Sequence, residues 1–218
     1  MDQPIVSAQD LTYTYAGASR PALERLRLEI RPGRITGLAG PDGAGKTTLM
    51  RLAAGLLTPS GGRLEACGLD PAPQPDELHA ILGYMPQRFG LYEDLTVKEN
   101  LLLYADLRAV TGPARTEAFE RLLAFTALEP FTSRRAGRLS GGMKQKLGLA
   151  CALIQKPRLL LLDEPSVGVD PISRRELWRM VRELIDPQVA VVWSTAYLDE
   201  AEQCDDVLLM SEGKLLYS

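Results

Sequence analysis

The chain has 218 residues, of which 45% are hydrophobic and 24% are charged, and these fractions exclude a disordered or fibrous chain. At about 150 residues per domain, the length predicts one domain with a subdomain. The formal net charge of -3 gives no general positive surface for binding nucleic acid, so we expect no nucleic-acid partner.

The first third of the chain is predicted to consist of strands, turns and one helix. Strands are predicted near residues 5–15, at 23–30 and at 35–39, with Gly- or Pro-containing turns between them. From Lys46 onwards the apolar residues recur at helical spacing, until the turn-forming run 58–62 ends that helix.

The middle of the chain, from about residue 96 to residue 127, is predicted to be helical. Thr96 and Glu99 have the spacing of a capping box, and they precede an apolar run over residues 101–107. A second helix is indicated by Phe119 and Leu122. Both connecting stretches contain Gly or Pro, as expected of an insertion between two halves of a sheet domain.

The last third alternates between helix and strand. We predict a helix at 143–155, a strand at 158–162, a helix capped by Ser173 and Glu176, a strand at 189–193 and a hairpin of 206–210 with 214–217. This alternation predicts a mainly parallel sheet with helices on both faces. Because the chain stops directly after a predicted strand, we expect it to be part of a longer protein.

Residue counts limit the possible chemistry. The three cysteines lie far apart without a CxxC pair, which argues against zinc ribbons and disulfide scaffolds and for a reducing compartment. His79 is the only histidine, so multi-histidine metal sites are excluded, and we interpret it as a structural residue in a solvated helical turn. The N-terminus lacks the basic and apolar regions of a signal peptide.

A phosphate-binding loop is predicted between the third strand and the first helix. The sequence Gly40-Pro-Asp-Gly-Ala-Gly-Lys-Thr47 fits the pattern GxxxxGK[ST]. In such a loop backbone N–H groups surround the phosphates, the lysine adds a positive charge, and the hydroxyl binds Mg²⁺. We therefore predict a nucleoside triphosphate and Mg²⁺ as ligands, with nucleotide contacts from Gly40, Asp42, Gly43, Ala44, Gly45, Lys46, Thr47 and Thr48.

The second half of this site is predicted at Asp163 and Glu164. They directly follow four leucines, which have the composition of a strand that is buried on both faces. A carboxylate at the carboxyl end of a neighbouring strand completes a P-loop site. Asp163 is expected to hold Mg²⁺ or its water, and Glu164 to act as the general base for the attacking water.

Several further motifs resemble those of ATP-binding-cassette ATPases, in the order and spacing of that family. Leu139-Ser-Gly-Gly-Met-Lys-Gln145 resembles the family's signature motif, and Ser166-Val-Gly-Val-Asp170 resembles its D-loop. Gln87 in Tyr84-Met-Pro-Gln87 is similar to the Q-loop glutamine, and Tyr15 to the aromatic residue that stacks on adenine. The sequence around these motifs is similar to that of ATPase subunits of bacterial drug-type exporters.

The resemblance implies a P-loop NTPase α/β fold with an N-terminal antiparallel β subdomain and a helical insertion. The core would comprise 1–88 and 157–218, and the helical part about 89–156. Ser140, Gly141, Gly142 and Asp170 would contact ATP held by a second cassette that closes head-to-tail. Gln87 would contact the metal and its water shell while its loop touches a membrane permease. The domain would lie on the cytoplasmic face of a bacterial cell membrane.

One departure from the family affects hydrolysis. The family has a sequence resembling S-T-H-x-x-D-E-A-E at the position of Ser194–Glu202 in this chain. Here Ala196 occupies the position of the histidine. Loss of a hydrogen bond to a charged group, about 1.5–3 kcal/mol, would slow hydrolysis roughly ten- to a hundred-fold. Thr195 or Tyr197 could partly replace the histidine. A lesser departure is Asp42, where the family commonly has asparagine.

Two functions remain open from the sequence. One is an active ATPase domain that powers an exporter, although with its own site impaired. The alternative is a nucleotide-dependent clamp that hydrolyses slowly or not at all and mainly supplies its signature motif to the partner site. A cassette ATPase of ribosomes or DNA repair is less favoured, because long charged insertions are lacking. We expect the isolated chain to have low ATPase activity.

Overall fold

The computed structural model describes residues 3–87 and 90–217, which fall into two compact units. The first unit contains the residues up to Tyr84, Arg158–Glu164 and the residues from Ile185 onwards. The second unit contains Met85–Pro157 and Pro165–Leu184. The functional division predicted from the sequence, with 89–156 as the inserted part, stays a prediction.

The first unit contains an antiparallel sheet of three strands. They are β1 (Val6–Tyr13), β2 (Leu23–Ile30) and β4 (Gly61–Ala66), in the order β2-β1-β4. Leucine and valine side chains on one face of these strands are buried in the core of this unit. The predicted N-terminal antiparallel part is therefore confirmed.

The second sheet has six strands in the order β5-β6-β7-β3-β8-β9. They are β3 (Ile35–Ala39), β5 (Leu82–Met85), β6 (Leu159–Leu162), β7 (Ala190–Thr195), β8 (Asp206–Ser211) and β9 (Lys214–Tyr217). Strand β7 is parallel to β3 and β6, and β8 is parallel to β3, whereas β9 is antiparallel to β8. Every residue of β3, β6 and β7 is buried, as expected for central strands of a parallel sheet.

Three helices belong to the first unit. Helix α1 (Lys46–Ala53) follows β3, while α2 (Pro75–His79) and α7 (Leu198–Ala201) are short. His79 is half-buried rather than fully solvated, and its Nε2 atom lies 2.7 Å from the carbonyl oxygen of Ala54. This contact joins α2 to the end of α1, so the structural interpretation of the only histidine agrees with its position.

The second unit is helical. Its helices are α3 (Val97–Leu107), α4 (Gly112–Thr126), α5 (Gly141–Ala152) and α6 (Pro171–Glu183). The predicted capping box is present, because Thr96 Oγ1 accepts from the Glu99 N–H at 3.2 Å and the Glu99 carboxylate accepts from the Thr96 N–H at 2.7 Å. None of the helices in the described ranges is long and apolar enough to cross a membrane.

Several predicted boundaries were wrong. Helix α6 is capped by Asp170 rather than Ser173, because the Asp170 carboxylate accepts from the N–H groups of Ile172 and Ser173, both at 3.0 Å, and Pro171 begins the helix. Helix α5 begins two residues earlier than predicted, since Ser140 is its N-cap. Tyr15 lies in the loop after β1 rather than in a strand. The predicted fold class, α/β with a mainly parallel sheet and an N-terminal antiparallel sheet, is confirmed.

Candidate nucleotide-binding site

The loop from Gly40 to Gly45 joins the end of β3 to the start of α1. Two positions of this loop require glycine because neighbouring atoms leave no room for a side chain. A Cβ on Gly40 would clash with the carbonyl oxygen of Met210, and a Cβ on Gly45 would lie 2.6 Å from Leu23 Cδ2. Gly45 has φ 103° and Gly43 has φ 78°, both in the left-handed region that favours glycine. The backbone therefore takes the tight path that a phosphate-binding loop needs.

The remaining P-loop residues differ in burial. Ala44 and Thr48 are buried, whereas the side chain of Asp42 is exposed. An exposed carboxylate is screened by water, so its repulsion of a bound phosphate is small.

Lys46 is the most tightly enclosed charge of the loop. Its side chain is 4% exposed, and Nζ donates to the carbonyl oxygens of Gly40 at 2.7 Å and Pro41 at 3.1 Å. Nζ also lies 3.1 Å from Oε1 of Glu164, whose side chain is likewise buried. The three N–H groups of the ammonium thus have three acceptors, and an incoming phosphate must replace at least one of them.

Asp163 lies where β6 ends and accepts three hydrogen bonds from side chains. Its Oδ1 accepts from Thr47 Oγ1 at 3.1 Å and from Ser194 Oγ at 2.8 Å, while Oδ2 accepts from the Tyr84 hydroxyl at 3.4 Å. The sheet register explains the Ser194 contact, because Leu162 lies opposite Trp193 and the next residues are therefore neighbours. Burial, with the charge of Asp163 as a further cause, raises the pKa of Tyr84 to about 12, so this hydroxyl keeps its proton.

Glu164 is held by its backbone as well as by Lys46. Its N–H donates to Ser194 Oγ at 2.8 Å, and its φ of 49° lies in the left-handed region, which is uncommon for glutamate. Ser194 thus links two adjacent carboxylate residues by accepting from one and donating to the other. Strained backbone of this kind is typical of functional sites.

The residues at this edge of the sheet fit a magnesium ion with a bound nucleotide. The Thr47 hydroxyl and the Asp163 carboxylate are 3.1 Å apart, and both are oxygen ligands of the kind that Mg²⁺ prefers. Lys46 provides the positive charge beside them. The structure therefore brings together the P-loop, Asp163 and Glu164, as the sequence predicts for a nucleotide site.

Tyr15 lies beside the first turn of α1. Its hydroxyl is 3.1 Å from Thr48 Oγ1, and its ring makes an edge contact with the ring of Tyr13 at a centroid distance of 4.9 Å. The residue is 38% exposed. A half-exposed aromatic ring next to the P-loop helix fits the predicted stacking position, and that role stays a prediction.

The signature residues lie at the start of α5 in the second unit. Ser140 is the N-cap, and its Oγ accepts from the Met143 N–H at 3.3 Å. A Cβ on Gly142 would clash with the side chain of Ser173, and a Cβ on Gly141 would lie 3.1 Å from the Gly168 carbonyl oxygen. The two glycines thus allow α5 to approach α6 and its preceding loop closely, and the glycine at 141 leaves the helix N-terminus open.

Gln87 and Asp170 also belong to the second unit. Gln87 is exposed in the bend after β5. The Asp170 carboxylate is used as the N-cap of α6, and its hydrogen bonds with Ser173 hold its pKa below the usual range. The roles predicted for both residues in contacting nucleotide stay predictions.

The segment after β7 contains the position of the missing histidine. Ala196 and Tyr197 are exposed, whereas Thr195 is buried. Thr195 Oγ1 donates to the Glu200 carboxylate at 2.6 Å and accepts from the Tyr197 N–H at 3.0 Å. The hydroxyl of Thr195 is therefore already used twice, which disfavours it as a replacement for the histidine.

Sequence reasoning assigned no role to Ser194, Tyr84 or Glu200. Ser194 and Tyr84 bind Asp163, and Glu200 binds the side chains of two residues of β7. The signal for Ser194 was a hydroxyl residue near the end of a buried strand, but its partner becomes evident only from the sheet register.

Comparison with known proteins gives matches along the whole chain. The ABC transporter family matches residues 23–167. The chain is 62% identical over 217 residues to the probable multidrug ABC transporter ATP-binding protein YbhF of Escherichia coli strain K12, covering 100% of this chain and 38% of that protein. It is 37% identical over 194 residues to Nod factor export ATP-binding protein I of Burkholderia pseudomallei strain 1710b, and this match covers 88% of this chain and 64% of that protein.

A solved structure of an ATP-binding subunit of an ABC transporter has the same fold. It superposes with a TM-score of 0.86 at 29% identity, and the match covers 98% of this chain and 88% of that one. The chain spans less than two thirds of the length of the two sequence relatives above.

Proposed function

Because this chain belongs to the ABC transporter family, whose ATP-binding domains are ATPases, we propose that it is the ATP-hydrolysing power domain of a bacterial membrane exporter. The observation that carries the proposal is the convergence of Lys46, Thr47, Asp163 and Glu164 at the carboxyl ends of β3 and β6. This edge of a parallel sheet is where α/β proteins bind nucleotides.

Nucleotide binding would use the P-loop amides together with the side chains of Lys46, Thr47, Asp163 and Tyr15. The Lys46 ammonium would exchange its contact with Glu164 for contacts with the β- and γ-phosphates. Thr47 and Asp163 would hold Mg²⁺, which neutralises phosphate charge when it is bound. Ser194 and Tyr84 would keep the Asp163 carboxylate oriented, because both donate to it. Tyr15 would stack on the adenine.

Hydrolysis would then depend on Glu164. When Lys46 turns to the phosphates, the Glu164 carboxylate loses its ion pair and becomes available to accept a proton from the attacking water. Gln87 would contribute to the water shell of the metal. Ala196 provides no side-chain donor for the γ-phosphate, so we infer that this site turns over slowly.

A second cassette would complete the site. The N-terminus of α5, with Ser140, Gly141 and Gly142, has the free N–H groups and the positive dipole end that bind phosphate. In a head-to-tail pair it would bind the ATP held by the partner, with Asp170 close by. The alternative is a clamp that mainly supplies this signature motif, and Ala196 is the residue that favours it.

The names of two relatives support a membrane partner for this domain. One relative is named as a probable multidrug ABC transporter ATP-binding protein and another as a Nod factor export ATP-binding protein. We infer that this domain binds integral membrane permease subunits at the cytoplasmic face of the bacterial cell membrane, and that its second cassette belongs to the same longer chain.

ATP binding to the 218-residue chain tests the site directly. Calorimetric titration with ATP and Mg²⁺ is expected to show binding that Lys46→Ala removes. Because that variant leaves Glu164 buried without its lysine, the double variant Lys46→Ala, Glu164→Gln controls for the unpaired charge. Unchanged ATP affinity in both variants would refute the P-loop assignment.

A further inference from the structure

A buried carboxylate, Glu200, lies behind the segment that contains the histidine position of the family. Glu200 is 0% exposed and belongs to the short helix α7. Its Oε2 atom accepts from Trp193 Nε1 at 3.2 Å and from Thr195 Oγ1 at 2.6 Å. A carboxylate is costly to bury, so its specific hydrogen bonds to two residues of β7 call for an explanation.

The hydrogen bonds of Thr195 continue from Glu200 towards the P-loop. The Thr195 hydroxyl, which donates to Glu200, also accepts from the backbone N–H of Tyr197 at 3.0 Å. The Thr195 carbonyl oxygen accepts from the backbone N–H of Gly40 at 3.2 Å. One residue thus joins the buried carboxylate, the turn around Ala196 and the first residue of the phosphate-binding loop.

The sheet register makes this connection specific. Ala39 lies opposite Thr195 in the parallel pairing of β3 and β7, so the P-loop and the segment after β7 leave the sheet side by side. The side chain of Trp193, two residues earlier on β7, is completely buried. A movement of Gly40 on phosphate binding would therefore reach Trp193 through Thr195 and Glu200.

We propose that Glu200 is a positioning residue for the nucleotide site: it fixes the turn of residues 195–197 against Gly40, and it couples phosphate binding at the P-loop to the indole of Trp193. The proposal rests on the proposed function, since it needs a nucleotide at the P-loop. Glu200 itself contacts neither nucleotide nor metal. It acts by holding Thr195 and thereby setting where position 196 lies.

The hydrogen bonds that hold this turn do not depend on the side chain at position 196. The hydrogen bonds that shape it come from Thr195, Glu200 and backbone groups, and none of these involves the side chain at position 196. We therefore expect a histidine at position 196 to be accommodated without a change in these hydrogen bonds.

Tryptophan fluorescence tests the coupling. The chain has two tryptophans, so the variant Trp178→Phe leaves Trp193 as the only one. In that background we expect ATP with Mg²⁺ to change Trp193 emission. Glu200→Ala is expected to abolish this change while ATP affinity, measured by calorimetry, stays within about two-fold. Glu200→Gln keeps an acceptor oxygen for both donors and is expected to restore the change.

A matched control separates this coupling from general effects of charge. Glu202 is an exposed carboxylate two residues further on, and Glu202→Ala is expected to leave the nucleotide-dependent emission unchanged. A nucleotide-dependent change that persists in Glu200→Ala would overturn the proposal. So would tight ATP binding without any change in Trp193 emission, or loss of ATP affinity in Glu200→Gln. Absence of ATP binding to the unsubstituted chain would instead refute the proposed function, on which the coupling depends.

Discussion

The Nζ atom of Lys46 lies 3.1 Å from Oε1 of Glu164, and both side chains are more than nine-tenths buried. These two opposite charges pair with each other away from water. A phosphate group and the Glu164 carboxylate therefore compete for the same ammonium. The sequence predicted Lys46 only as a phosphate ligand, because its second partner comes from a residue 118 positions further along the chain.

The competition predicts tighter nucleotide binding when the carboxylate is neutralised. Glu164→Gln in the 218-residue chain is expected to raise ATP affinity roughly ten-fold, about 1.4 kcal/mol, because a negative charge beside the phosphates is removed. Calorimetric titration measures this. Glu176→Gln, which neutralises the carboxylate of a more exposed pair with Lys146, is the control and should leave the affinity unchanged. Weaker binding in Glu164→Gln would contradict the competition.

Much of the fold could be predicted from the sequence because periodicity and turn residues are local signals. The strands Leu23–Ile30 and Ile35–Ala39 have the predicted bounds, and helix α1 begins at Lys46 as predicted. The α6 cap was misassigned, because Asp170 and Ser173 are both good caps and only the observed hydrogen bonds distinguish them.

The residues of the candidate site could be predicted where they form a contiguous sequence motif. Contacts that depend on how the strands pair in the sheet could not. The P-loop and the carboxylates after β6 follow from short sequence runs. The contacts of Ser194 with Asp163 and of Glu200 with Thr195 depend on strand register and on a turn, which residue types alone do not specify.

Close helix packing explains one glycine of the signature region and gives a second prediction. Gly142→Ala is expected to destabilise the chain by about 1–3 kcal/mol, because the added methyl group meets the side chain of Ser173. Thermal or denaturant unfolding measures the loss. Ser173→Gly in the same chain should recover much of it, whereas Ser173→Ala retains the clashing Cβ and should not. Equal stability of Gly142→Ala and the unsubstituted chain would exclude this packing role.

Restoring the histidine is expected to speed hydrolysis at this site. A charged or polar donor to the γ-phosphate contributes about 1.5–3 kcal/mol, so Ala196→His should raise turnover roughly ten- to a hundred-fold if that bond forms mainly in the transition state. Phosphate release by the complete transporter measures it, and Leu198→His, at another exposed position of the same segment, is the control. No increase would indicate that another group already serves or that another step limits turnover.

The isolated 218-residue chain is expected to be mainly monomeric and nearly inactive with saturating ATP. A complete site needs the signature motif of a second cassette, and two copies of this chain would both carry Ala196. Light scattering with and without ATP, together with phosphate release, measures both properties. A stable ATP-bound dimer with rapid phosphate release would contradict this expectation.

We infer that this cassette supplies its signature motif to a faster partner site while its own site is slow. Gly141→Asp places a carboxylate at the N-terminus of α5, where it opposes both the helix dipole and the partner's phosphates. Gly141→Ala controls for the packing of the new side chain against the Gly168 carbonyl oxygen. Glu164→Gln removes the base of this cassette's own site.

Steady-state phosphate release by the complete transporter, compared between Gly141→Asp and Glu164→Gln, distinguishes the two sites. Gly141→Asp is expected to abolish most of the activity, whereas Glu164→Gln should lower it much less. If Glu164→Gln is the more damaging substitution, this cassette is the main hydrolytic one, and the impaired-site account is contradicted.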